Sequence, residues 1–143
     1  MDHIAIMNKK LRLIDKILTW KKSIETRWYT NKISPRDRIR EWESVYFKDS
    51  WQPVTAKARV KEVVQFEIKN ANIGAILSQY WNQICFSEPL DKVKERILTK
   101  NYGILIFLED AQKIKPFEID KTWFWISCAW LHTDDIQKLI KKI

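Results

Sequence analysis

The chain has 143 residues, 45% of them apolar, and a formal charge of +8. That length suits one domain spanning residues 1–143, with a core that needs no disulfide or metal staple. Cys85 and Cys128 form no C-x-x-C pair and make no metal-ligand spacing with His3 and His132, so they read as core thiols and no metal or cofactor is expected. The N-terminus has no apolar signal core, and the longest apolar run, Ile104 to Leu108, is too short to cross a bilayer, which points to a cytoplasmic protein away from membranes.

His3 to Met7 reads as a first strand, after which Asn8 caps a helix from Lys9 to Thr19 with Leu11, Ile14, Ile17 and Leu18 at helical spacing. A strand over residues 22–29 and a basic loop from Thr30 to Arg40 follow. Strands are predicted at Ser44–Lys48 and Val54–Ile68, the second long enough to be bulged. Ile73, Ile76, Leu77 and Tyr80 make a helical stripe, and Ser87-Glu88-Pro89 starts a second helix through Thr99; both stripes read as core. Strands at Ile104–Leu108, Lys113–Phe117 and Phe124–Leu131 precede a closing helix capped by Thr133, with Ile136, Leu139, Ile140 and Ile143 on one side. The pattern predicts an α+β fold around a small β-barrel.

The charge is unevenly placed. Residues 1–69 hold 16 Lys/Arg against 9 Asp/Glu, and residues 70–143 hold 10 against 9. A polyanion-binding face needs such clustering, because each neutralised phosphate releases counterions; a surface selected for solubility yields the same count. Within the basic half, strand geometry places Ser23, Glu25 and Arg27 on one face and Ile24, Thr26 and Trp28 on the other. Arg27 held by Glu25 would present a planar fork to a phosphate or base edge, with Lys22 as a nearby point charge, whereas a cross-strand ion pair at a barrel rim would use the same residues. Trp28 or Tyr29 would stack on a base, although Trp28 shares the packing face, and Lys32, Arg36 and Arg38 of the basic loop would extend the surface.

Lys22, Glu25 and Arg27 match the pattern Gly-x-Lys-x-x-Glu-x-Arg, with Trp20 in the glycine place. Through these residues, Val45-Tyr46-Phe47-Lys48, Pro53 to Ala58 and Ser127-Cys128-Ala129-Trp130, the chain resembles the ASCH family, small domains related to the PUA fold of RNA-modifying enzymes. The resemblance implies a PUA-like small mixed barrel flanked by helices, RNA or a nucleotide-like ligand as partner, and Ser127 at the cleft. One branch of the superfamily deacetylates N4-acetylcytidine with the motif lysine, a threonine where this chain has Glu25, and a distant glutamate. Here Ser23 and Thr26 are out of phase with that threonine, and Glu67 is the remote carboxylate available. The alternative to a binding domain is therefore a hydrolase of modified nucleosides, or a ribonuclease, with Lys22 and Glu25 as its catalytic pair. Gly74 and Gly103 stand alone, so no phosphate loop or dinucleotide motif is present, and Ser127 and His132 lack the acid and oxyanion hole of a nucleophilic triad.

Two glycines and eight tryptophans invert normal usage, where glycine is about 7%. Trp20, Trp42 and Trp51 stand where turns call for glycine, and the resemblance extends the same expectation to Trp81, Trp123 and Trp125, while Trp28 and Trp130 are tryptophan in the family pattern. Translation of UGA as tryptophan, in a host that reads it as glycine, would account for all six. A Trp-rich surface that stacks bases is the alternative.

Overall fold

The computed structural model describes residues 1–121 and 129–141. Six strands, β1 (Asp2–Met7), β2 (Ile24–Tyr29), β3 (Ser44–Asp49), β4 (Val54–Glu67), β5 (Tyr102–Phe117) and β6 (Trp130–Thr133), form one sheet in the order β2-β5-β4-β3-β1-β6. Among these described strands only β1 and β3 pair in parallel. The sheet curls into a half-barrel, and Arg27 of β2 reaches the carbonyls of Ile6 on β1 and Ala129 beside β6 across the opening.

Alternation along the strands builds the inner core from Ala5, Met7, Val45, Phe47, Ala58, Val60, Ile104 and Ile106, closed by Ile14 and Ile17 of α1 (Leu13–Leu18). A second core forms on the opposite face of β2. There α2 (Ile73–Ile84) and α3 (Leu90–Ile97) bury Ile73, Leu77, Val93 and Ile97 against Trp28 and Phe66. Gly103 on β5 makes that packing possible, since a Cβ there would meet the Trp28 and Phe66 rings at 2.6 Å. Gly103→Ala is expected to cost about 1–3 kcal/mol through overpacking, seen as a lower denaturation midpoint; an unchanged midpoint would mean that the two rings yield.

Three elements depart from expectation. The first helix breaks at Arg12, whose φ of 51° separates a 3-10 turn at Lys9–Leu11 from α1, so that Ile14 and Ile17 rather than Leu11 and Leu18 are buried. The two strands expected at Ile104–Leu108 and Lys113–Phe117 are one, because Asp110, at φ 52°, lets β5 bulge against β4 and continue. The closing helix is a single 3-10 turn, Ile136–Lys138, capped by Asp135 rather than Thr133. Its continuation is diverted into the Ile119–Ile140 bridge, with Asp120 N donating to Leu139 O and Lys141 N to Glu118 O. Residues 124–128 of the predicted last strand, with Trp123, Trp125, Ser127, Cys128 and Ile143, are outside the described residues. Cys85 caps α2 and is half-buried.

Candidate functional site

Among the described residues β2 is an edge strand, and that edge explains the motif's charges. Leu108 N donates to Ser23 O at 2.9 Å, so the antiparallel ladder turns the backbone groups of Glu25 and Arg27 toward β5 and those of residues 24, 26 and 28 toward the open edge. Lys22 precedes the strand and folds back along that edge. Its Nζ donates to Ile24 O at 2.9 Å and to Ile84 O at 2.7 Å, and stands 3.5 Å from Glu25 Oε1. Glu25 Oε1 also accepts from Thr26 N at 3.0 Å. The pair thereby occupies backbone groups that an edge would leave open and ties the end of α2 to β2.

Both residues are nearly enclosed, Lys22 at 3% and Glu25 at 4% exposure. Burial alone would raise the Glu25 pKa, but the Lys22 and Arg27 charges and the Thr26 amide outweigh it and hold the carboxyl below its ordinary value. Glu25 Oε2 is 3.5 Å from Arg27 Nη2, which also reaches Ile6 O at 3.4 Å, while Nη1 donates to Ala129 O at 3.3 Å. The guanidinium lies over the Trp130 ring, 5.1 Å from its centroid. Lys22, Glu25 and Arg27 therefore form one network, with Arg27 at its more open end.

Tyr29 continues the face of Glu25 and Arg27 and pairs in register with Tyr102, so these two side chains share a face at the barrel's end. The basic loop packs over that end. Ser34 Oγ contacts His132 Nδ1 at 3.3 Å, Arg36 Nη1 donates to Phe66 O at 3.3 Å, and Asp37 N donates to Gln65 Oε1 at 2.6 Å. Lys32 Nζ and the Arg36 guanidinium stand 5.5 and 4.8 Å from the centroid of Tyr102. Tyr102, absent from the predicted site, is thus where loop and strand meet. Nothing in the sequence marks it, because the strand register that sets Tyr102 beside Tyr29 is a tertiary fact.

Trp28 is on the other face. Its Nε1 donates to Thr26 Oγ1 at 3.1 Å and its ring meets Phe66 edge-on at 5.7 Å, within the second core. Glu67 ends β4, where Asn70 and Lys69 engage its carboxylate. Among the described residues, no group of three His, Cys, Asp or Glu is placed to hold a metal ion, and no helix is long and apolar enough to cross a membrane.

The architecture has solved counterparts. The ASCH protein from Zymomonas mobilis is 14% identical, with a TM-score of 0.68 over 99% of this chain and 96% of that one. This chain has the ASCH fold. Two variants of the Zymomonas protein give the same match: one with serine replaced by alanine (17% identity, TM-score 0.69, 96% of this chain and 92% of that one) and one with tyrosine replaced by phenylalanine (16%, 0.68, 96% and 94%). No family model and no curated protein matches the sequence. The ASCH fold accounts for the curled mixed sheet and its helices, while the network at Lys22, Glu25 and Arg27 rests on this chain's own geometry.

Proposed function

We propose that this chain binds RNA or a nucleotide-like ligand across the end of the half-barrel, from Arg27 past Tyr29 and Tyr102 to Lys32 and Arg36. The observation that carries the reading is the convergence of Lys32 and Arg36 on Tyr102, on the face continuous with Arg27. Aromatic rings bordered by cations suit a base stacked beside its own phosphate. The excess of basic residues in the first 69 positions supports the same reading. Lys22 holds Glu25, and Glu25 orients Arg27. Ser127, which the family resemblance sets at the cleft, is among the residues not described.

Binding of labelled single-stranded RNA is expected to weaken with salt. The Lys32→Ala, Arg36→Ala double variant should bind about tenfold less tightly and, with two phosphate contacts gone, show a salt slope shallower by roughly 1.4. Binding indifferent to salt and to both substitutions would overturn the reading, and assaying the RNA afterwards tests for cleavage. The hydrolase alternative asks Glu25 to accept a proton. A carboxylate held below its ordinary pKa by two cations is a weaker base, which favours binding over hydrolysis.

We also propose that Trp20, Trp42 and Trp51 are glycine in the living cell, decoded from UGA. They occupy left-handed backbone at φ 61°, 72° and 65° and are exposed. Trp81 is different, being helical within α2 and packed on Phe86, so its backbone makes no demand for glycine. Trp123 and Trp125, given the same expectation from the family resemblance, fall in the part of the chain not described.

A further inference from the structure

His3, near the start of β1 and on the same face as Ala5 and Met7, is fully enclosed, and both ring nitrogens are engaged. Trp130 Nε1 is 3.1 Å from His3 Nδ1, and His3 Nε2 is 2.9 Å from Glu43 Oε1. An indole N–H only donates, so Nδ1 must carry the lone pair and Nε2 the proton, which goes to Glu43. One histidine tautomer is thereby fixed by its neighbours. The indole that His3 orients is the one beneath the Arg27 guanidinium. Glu43, His3, Trp130, Arg27, Glu25 and Lys22 form an unbroken polar chain through the half-barrel.

We propose that His3 is a positioning residue for Arg27, acting through Trp130, and that a second proton on His3 loosens the grip of Arg27 on its ligand. This rests on the reading of Arg27 as a ligand contact. Protonation puts a hydrogen on Nδ1 and sets two donors, imidazolium and indole, against each other, so that the indole loses its acceptor and the platform under Arg27 its orientation. Among the described residues, the titratable and charged groups facing His3 are Glu43 from the β2–β3 connection, the Met1 amino group paired with Glu43 at 3.1 Å, and His132 of β6 with ring centroids 6.5 Å apart. Burial lowers the His3 pKa and outweighs the opposing pull of Glu43, placing the change below pH 6.5.

The test follows labelled single-stranded RNA binding from pH 7.5 to 5 at constant salt, together with the ¹⁵N signals of the histidine rings and of the Arg27 side chain in RNA-free protein. Wild type should bind several-fold more weakly at the acid end. His3→Asn, which cannot titrate, should bind more weakly than wild type at pH 7.5 and show no further acid loss. In RNA-free wild type the Arg27 signal should move with the His3 titration, from a neutral ring protonated on Nε2. An Arg27 signal indifferent to that titration overturns the proposal, as does acid loss that persists in His3→Asn. Failure to bind RNA at any pH, with the Arg27 signal still following His3, would remove the RNA reading and leave the coupling supported.

Discussion

Lys22→Met is expected to destabilise the fold by about 3–5 kcal/mol, a loss of roughly 10–20 °C in melting temperature. The substitution keeps most of the side chain's volume, so packing is not the cause. It strands the carbonyls of Ile24 and Ile84 and leaves Glu25 with Arg27 as its remaining cation, in a site at 3–4% exposure. Removing one member of a buried ion pair is costly because the other was desolvated in expectation of it, whereas exchanging both for apolar groups often costs little. Lys22→Met with Glu25→Leu should therefore cost less than the two single changes summed, although Arg27 then loses its carboxylate. Additive losses would show that the pair is not coupled.

Acid should expose the same network. The folded-state pKa of Glu25 is depressed, so between that value and its unfolded value of 4.5 the unfolded chain binds more protons, and stability falls with falling pH. The stabilisation from Glu25 is complete above the unfolded pKa and disappears as pH drops through the folded one. In Lys22→Met the depression shrinks, and the acid-induced loss should shrink with it. A Lys22 that served only to contact ligand would leave both the melting temperature and its pH dependence unaltered.

What the sequence made legible was what lies within one element. The alternation over residues 23–28 correctly put Glu25 and Arg27 opposite Trp28, and Asn8 opens its helical segment with a side-chain cap. What depends on pairing between elements was hidden. Tyr102 joins the site through its register with Tyr29, and His3 joins it through Trp130, 127 positions away. The spacing of Lys22, Glu25 and Arg27 left a ligand-facing fork and an ion pair both open, and the burial of Lys22 and Glu25 follows from β2 being an edge strand among the described residues that α2 abuts. The β5 bulge and the diverted C-terminal turn escaped for the same reason, since Arg59 holds Glu109 and Asp110 from β4 and Ile119 captures Ile140.

Replacing Trp20, Trp42 and Trp51 together by glycine should stabilise this chain, an unusual result for three large-to-small exchanges. Seven described residues other than glycine have positive φ, and no glycine does. Asp37 and Asp110 tolerate that backbone; a tryptophan pays about 1–2 kcal/mol there through its Cβ. Glycine gives back about 0.5–1 kcal/mol at each site through the freedom of the unfolded chain. Trp42 also loses its stacking under Arg59, whose guanidinium is 5.0 Å from the ring centroid and which at an exposed site is worth about 0.5–1 kcal/mol. At 52%, 71% and 89% exposure the three indoles bury too little for packing losses to reverse the balance. The net gain is about 1–2 kcal/mol, or roughly 3–8 °C in melting temperature. Trp28→Gly, which empties a packed site against Phe66, should instead destabilise strongly, and Trp81→Gly should cost at least about 1 kcal/mol by placing glycine in a helix. A triple variant less stable than its parent would remove the backbone argument. UGA at positions 20, 42 and 51, with UGG at 28 and 130, would identify the stabilised sequence as the one the host makes; UGG at all five would mean that its tryptophans bear the strain.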